Sequence, residues 1–502
     1  ALSIALVDGD EVVWARGFGE QAPGVPATAE TVYRVGSVSK MFTDMAVMQL
    51  VEAGTLDLDE PVQDYVPEFA PDNPAGTPIT LRQLMSHRAG IIREPPAGHY
   101  FDDTGTDLAT TVRSLEATPQ IYTPGTRTKY SNAGIAVVGY ALETTQGRPF
   151  ADYVKESVLE PLGMDRSAFV PERELMGDLA DAWMWGFDRD DFPAPTFELG
   201  MAPAGSMYST VLDLSRFMSA AFRGGVGEDG PVLAPETLEA MWQPQFVDTG
   251  VTTGYGFGFA VEEWNGRRHL GHGGAIYGFS TQLSMLPDDG LGVAVVSAVD
   301  GTNTVVDRIA EAALELMLAA RAGESLPMEV TRGTEPIDPS LARELEGWYG
   351  EGRFALELDE RNGRLFVIPA RGGAVTEVRT RGDTLIVDDR LSYGMRMLPD
   401  GEALALVGDA PRRLDRRPSA GIPPAPPARW EGLIGEYGWD HNVLFVLERE
   451  GRLHALIEWV FLYPLEELGP DLFAFPDWGL YHGEQLLFER NERGRATAVE
   501  AA

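Results

Sequence analysis

The change of texture between Arg321 and Pro339 constrains this chain more than any other feature of it. Before that stretch, apolar residues recur at both helical and strand spacing; after it come short strands and turns with few helical periods. The stretch itself mixes Gly, Pro, Ser and charge without periodicity, which reads as a linker. The C-terminal part also repeats. Leu345-Glu346-Gly347-Trp348-Tyr349-Gly350 is echoed by Leu433-Ile434-Gly435-Glu436-Tyr437-Gly438, and after each come a strand, a turn at Gly363 or Gly451, and another strand. A Pro-rich run, Gly421 to Pro427, separates the copies. Two similar β-meander halves, about 340–417 and 429–502, predict an antiparallel barrel-like domain. The expected division is a first domain over 1–322, a linker over 323–339 and the β domain over 340–502. A 502-residue chain has room for this at roughly 150 residues per domain.

The first part alternates element types. Leu2 to Val7 and Val12 to Phe18 flank Asp8-Gly9-Asp10, a hairpin signal. Met41, Phe42, Met45, Ala46, Val47, Met48, Leu50 and Val51 make a helix apolar nearly all round that stops at Gly54, and so predict a buried helix. Thr80 caps a short helix ending near Gly90, Ile135 to Glu143 is a second apolar helix, and Met207 to Ala221 a third. Residues 92–107 and 176–200 read as irregular loops, the latter with an acidic run from Asp188 to Asp191. Tyr255 to Glu263, Arg268 to Leu270, Ser280 to Leu286 and Leu291 to Ala298 read as successive strands. A helix capped by Thr302 or Asn303 closes the series. The expected fold class is α/β (α+β): an antiparallel sheet flanked by helices, plus an all-helical region, with the barrel-like β domain after it.

Ser37-Val38-Ser39-Lys40 stands where a β-like segment runs through Gly36 into the first long helix. Residues three apart on a helix share a face, so a hydroxyl and an amine come side by side near the helix's positive end. An N-cap serine with a solvated lysine would give the same four letters. Lysine usage argues otherwise. The chain has only three lysines, Lys40, Lys129 and Lys155, among 40 basic residues. Lysine loses its proton when desolvated and arginine does not.

Composition removes several classes of function. A formal net charge of −37 excludes nucleic acid as a partner and disfavours anionic membranes. The absence of cysteine removes disulfides, thiol catalysis and cysteine-ligated metals. No run approaches the ~20 apolar residues of a membrane span. No H-E-x-x-H, EF-hand, Walker loop, G-x-S-x-G elbow or dinucleotide loop is present, so no cofactor or metal is expected. The opening Ala1-Leu2-Ser3-Ile4 starts inside a strand pattern, which suggests a trimmed or mature N-terminus; a periplasmic or secreted location is expected, with which the lack of cysteine is compatible.

Three short motifs fall in order: Ser37-Val38-Ser39-Lys40, Tyr130-Ser131-Asn132 and His272-Gly273-Gly274, with Pro124-Gly125-Thr126 ahead of the second. With Leu84 to Gly90 and Tyr255-Gly256-Phe257-Gly258 they carry a resemblance over about residues 1–320. The chain resembles the serine β-lactamase and penicillin-binding-protein superfamily, in the branch of class C β-lactamases, D,D-peptidases, D-aminopeptidases and β-lactamase-like esterases. The C-terminal part is similar to the lipocalin-like domains often appended to that branch.

The resemblance implies acyl transfer, which needs a nucleophile, a base within reach and an oxyanion site. Ser37 would be the nucleophile, and Lys40 its proton acceptor or the charge holding a phenolate. Tyr130 would be the second acid/base. Asn132 would hydrogen-bond a substrate amide carbonyl and help position Lys40. The oxyanion hole would be the backbone N–H groups of Ser37 and Ala275, with Gly273 and Gly274 allowing close approach of substrate. Many β-lactamases carry Lys-Thr/Ser-Gly where this chain has His272-Gly273-Gly274, so the constant cation for a drug's carboxylate is missing. His272 would carry charge only below about pH 6.5. His87 would be structural, holding a turn. The leading expectation is a serine hydrolase for peptides containing D-amino acids or for small esters and amides. A β-lactamase is the alternative within enzymes; a slowly deacylating penicillin- or peptide-binding receptor is the alternative of another class. The partner expected is a small molecule or short peptide, with oligomeric state open.

Overall fold

The computed structural model describes all residues except 117, 187–190, 327–332, 409, 419–424, 440–441, 458–460 and 502. The expected linker, the acidic run and the Pro-rich separator therefore lie partly outside the described residues. The chain forms two compact units, Ala1–Trp185 with Arg189–Leu326, and Pro327–Ala502 with Gly186–Asp188.

The first unit is a mixed α/β body around a seven-stranded antiparallel sheet. Its order is Glu11–Phe18, Leu2–Asp8, Leu291–Ser297, Phe279–Leu286, Arg267–Ile276, Ala260–Trp264 and Gly254–Tyr255. The N-terminal hairpin thus docks on the last strand, with Ala5 opposite Ala294. Every residue of Leu291–Ser297 is buried, because both faces of the sheet are covered. Val293 and Val295 pack with Val306, Ala310 and Leu314 of the Asn303–Arg321 helix. Ala294 and Val296 face the other way, into the main core with Phe42, Phe217 and Met218. That core holds the Ser39–Glu52, Asn132–Gln146 and Val211–Phe222 helices.

Local chemistry explains the ends of these helices. Ser39–Glu52 contains neither Gly nor Pro, and its exit passes through Gly54 at φ +68°. Asn132–Gln146 opens on Ser131, whose hydroxyl accepts the Gly134 N–H at 2.9 Å, and closes on left-handed Gly147. Thr80 and Gln83 form a full capping box on Leu81–Met85.

Three expectations need correction. The helix expected from Met207 starts at Val211, because Tyr208–Ser209 pairs as a short strand with Tyr33–Arg34. The strand expected over 255–263 is broken at Gly258, which turns at φ +77° and lies against the Met41 backbone. Thr302 holds the N-cap position of its helix, but its hydroxyl makes no capping hydrogen bond and donates to the Val299 carbonyl at 2.8 Å, and Asn303 is already inside the helix. Asn303 Nδ2 instead donates to the Gly274 carbonyl at 2.8 Å, tying the helix start to the strand.

In the second unit, eight antiparallel strands run from Gly347–Tyr349 to Arg412–Asp415. A bridge between Tyr349 and Arg416 brings first and last edges together, giving a nearly closed barrel-like sheet. Leu358, Leu365, Val378, Leu385, Met397 and Leu404 fill it. Five- and four-stranded antiparallel sheets complete the unit. The echoed hexapeptides share one device: Tyr349 Oη donates to the Leu345 carbonyl at 2.8 Å, and Tyr437 Oη to the Leu433 carbonyl at 2.6 Å. The turns after them match as well. Gly363 N–H donates to Glu360 and Gly451 N–H to Glu448, each at 2.6 Å, beside Asn362 and Glu450 at φ +53° and +52°. The strand Gly373–Ala374, from the first copy, pairs with Phe461–Pro464 of the second.

Candidate active site

Ser37 lies in a tight turn, Gly36–Val38, immediately before the Ser39–Glu52 helix. Gly36 sits at φ +54°, and a Cβ there would lie 2.7 Å from the Ala275 backbone nitrogen. A Cβ at Gly274 would lie 2.0 Å from the Val35 carbonyl oxygen. Glycine at both positions lets the serine turn press directly on the Arg267–Ile276 strand. Ser39 fastens the turn from behind: its hydroxyl donates to the Gly36 carbonyl at 2.6 Å and accepts the Met207 N–H at 3.0 Å.

Lys40 is fully buried. Its Nζ donates to Ser37 Oγ at 3.0 Å and to the Ala204 carbonyl at 2.6 Å. The amine is thus aimed by the Ala202–Gly205 turn, which Thr43 also grips through the Pro203 carbonyl at 2.8 Å. Burial draws the Lys40 pKa down to about 7, and Arg93 adds to the effect against Glu94 and Asp44. Tyr130 shares a hydrogen bond with Ser37, and burial pushes its phenol up to about 12. Near neutrality the site therefore holds an amine divided between its two forms beside a phenol that keeps its proton.

The Tyr130 ring is enclosed. Lys40 Nζ lies 5.0 Å and the Arg93 guanidinium 5.2 Å from its centroid. His87 packs on it at 4.1 Å, Tyr255 and His272 each at 6.2 Å. His87 Nδ1 accepts the Ser131 N–H at 3.3 Å, and its own backbone turns at φ +58°. Burial holds its pKa well below the ordinary value, so it stays neutral, a turn residue that also walls the phenol.

Asn132 starts the second helix, with its N–H donating to the Arg93 carbonyl at 2.8 Å. Its side-chain amide makes no hydrogen bond to Lys40, which bonds to Ser37 and Ala204. Asn132 Nδ2 donates to both Glu94 oxygens, at 2.8 and 3.1 Å. His272 likewise departs from expectation. Its Nδ1 lies 2.6 Å from the Gly273 carbonyl, which can only accept, so the proton sits on Nδ1 and Nε2 carries the lone pair. Burial, then the charge of Lys40, lowers its pKa to about 4. The ring is therefore neutral from about pH 4 upward, which includes the interval up to pH 6.5 where a cation was expected.

The His272 strand pairs with Phe279–Leu286 from Leu270 to Ile276, but with Ala260–Trp264 only as far as Gly271. On that side, residues 272–276 meet no strand among the described residues, and Gly273 and Ala275 are exposed. An extended substrate could lie along this edge with its carbonyl between the Ser37 and Ala275 N–H groups.

Sequence reasoning missed Arg93, Glu94 and Asp44. The first two lay in a segment read as loop, and Asp44 was one polar letter in an apolar helix. Asp44 is fully buried, and burial raises its pKa well above the ordinary value.

A family model described as Beta-lactamase matches residues 1–318. The chain is 32% identical over 304 residues to penicillin-binding protein 4 of Amycolatopsis lactamdurans, covering 58% of this chain and 78% of that protein. It is 24% identical over 534 aligned positions to the D-aminopeptidase of Brucella ovis, covering 99% and 92%. Among solved structures, the octameric penicillin-binding protein homologue from Pyrococcus abyssi aligns with a TM-score of 0.56 at 23% identity, over 82% of this chain and 95% of that one. At that identity the likeness speaks for the fold alone. Among the described residues no helix is long and apolar enough to cross a membrane.

Proposed function

For a chain that belongs to the Beta-lactamase family and is a serine hydrolase of that fold, we propose catalysis through a covalent acyl-enzyme on Ser37, with peptides containing D-amino acids or small esters and amides as substrates. The observation that carries this is the buried Lys40 amine, 3.0 Å from Ser37 Oγ with a pKa near 7. A group of that pKa can take the serine proton and return it at neutral pH. Tyr130, whose phenol keeps its proton, suits delivery to the leaving group.

The steps balance without a further reagent. Ser37 Oγ bonds to the substrate carbonyl carbon while its proton passes to Lys40, and the oxyanion takes the Ser37 and Ala275 N–H groups. The leaving amine or alkoxide departs with a proton from Tyr130, which Lys40 replaces. Water then attacks the ester, and its proton retraces the path as the acid is released and Ser37 restored. The D-aminopeptidase likeness, which runs nearly the full length of the chain, supports the substrate class. Neutral His272 offers no charge to an anionic β-lactam, which weighs against a β-lactamase.

A serine-directed phosphonate tests the reading. Intact-mass spectrometry should find one adduct, on the peptide holding Ser37. A panel of nitrophenyl esters, D- and L-amino acid amides and nitrocefin should then lose turnover in Ser37→Ala. Labelling elsewhere with Ser37→Ala still active would exclude the mechanism.

A further inference from the structure

The side chain expected to grip a substrate amide carbonyl already has its donor occupied. Asn132 Nδ2 points at the Glu94 carboxylate, and since a carboxylate only accepts, the amide must face it nitrogen first. Asn132 Oδ1 is sealed in the interior with no hydrogen-bond partner. Of the pair, Glu94 is the one that reaches solvent: its side chain is 11% exposed, against 1% for Asn132. Beside Asn132 the partly exposed groups are therefore the Glu94 carboxylate and the Arg93 guanidinium paired with it, 11% and 12% exposed, where an amide donor was expected.

Glu94 belongs to the catalytic centre and not to a distant surface. Its charge acts on both Lys40 and Tyr130. The neighbouring Arg93 meets Glu94 Oε1 at 3.1 Å while its guanidinium lies over the Tyr130 face. The chain as a whole has the same sign as Glu94, a formal −37, which favours the approach of cations over anions at long range.

We propose that Glu94, presented at the start of the Asn132 helix, is the subsite for a free ammonium group on the acyl side of the scissile bond. This rests on the acyl-enzyme reading and names its substrate class: esters, amides or peptides whose scissile carbonyl belongs to a residue with an unblocked α-amine. Such an ammonium stands on the carbon next to the attacked carbonyl and donates to the carboxylate. Acylating that nitrogen removes the charge and two of its three protons, leaving a single neutral N–H for the carboxylate and adding an acyl group that needs room beside it. The arrangement selects for the free amine and against the blocked one.

The test compares D-alanine methyl ester, its N-acetyl derivative and p-nitrophenyl acetate across wild type, Glu94→Gln, Glu94→Asp and Ser37→Ala at pH 7. Wild type should prefer the free amine over the N-acetyl ester by roughly 10- to 100-fold in kcat/KM, the range of a charge-assisted hydrogen bond. Glu94→Gln should bring that ratio toward one, chiefly through KM, and Glu94→Asp should restore part of it. Nitrophenyl acetate turnover in each variant reports whether Ser37 still acylates, separating a lost preference from a damaged site. A wild type with no preference, one that cleaves nitrophenyl acetate but neither alanine ester, or a preference that survives in Glu94→Gln would overturn the subsite alone. Turnover persisting in Ser37→Ala would overturn the hydrolase mechanism beneath it.

Discussion

Lys40 and Asp44 stand one turn apart on the same helix, both wholly inside the protein. Each is held away from its ordinary pKa by burial, the amine downward and the carboxyl upward, and each therefore weakens the fold near neutrality. The signs differ with pH. Between about 7 and 10.5 the unfolded chain holds a proton on Lys40 that the folded chain has lost, so stability rises with pH across that window. For Asp44 the folded chain binds the extra proton above pH 3.8, so stability falls as pH climbs from there. Denaturant titrations from pH 5 to 10 should show the alkaline rise in wild type and not in Lys40→Met. Asp44→Asn should gain roughly 1–3 kcal/mol at pH 7, the usual size of a single-residue effect. Lys40→Arg keeps the charge but cannot exchange the proton, so kcat should drop on the order of 10²–10⁴ with the fold intact by circular dichroism. Ser37, Lys40 and Tyr130 stand out in the sequence because their chemistry needs fixed local spacing. Asp44 and Glu94 do not, because their importance comes from what the folded chain places around them.

At the scale of elements, the site depends on a serine turn and a strand meeting backbone to backbone. Gly36→Ala would add a methyl group at a positive φ and 2.7 Å from the Ala275 nitrogen. Either the turn or the strand must retreat, and the Ser37 and Ala275 N–H groups lose their spacing. Activity should fall on the order of 10²–10³, as when an oxyanion donor is removed. Thermal melting should confirm that the variant is still folded; near-normal kcat would show that the strand does not take part. The hairpin, the two long apolar helices and the last strands were legible in the sequence because each carries an unbroken period and a turn or cap signal. The Met207 segment was misread because its first residues answer to a distant partner, Tyr33–Arg34, and not to their own helix. Asn303 was misread for a related reason: an asparagine at a helix start has the letters of a cap, whichever neighbour it finally binds.

For the whole molecule, the three motifs and the first unit's core all precede the Arg321 to Pro339 stretch. A chain ending at Leu326 should therefore fold alone and still take the phosphonate on Ser37, with its choice of substrate altered more than its intrinsic reactivity. Failure of that fragment to fold would mean that the proposed boundary cuts through a shared core. The repeat in the second unit was legible as an echo of six letters, but not the exchange that joins its copies, because Gly373–Ala374 has no strand propensity to betray it. That small strand bears on cooperativity. Two tandem copies held only by a tether would melt as separate calorimetric units, each with its own heat-absorption peak. A strand of one copy built into the sheet of the other makes the loss of either a loss for both. Scanning calorimetry of residues 333–502 should accordingly give a single endotherm whose van't Hoff and calorimetric enthalpies agree.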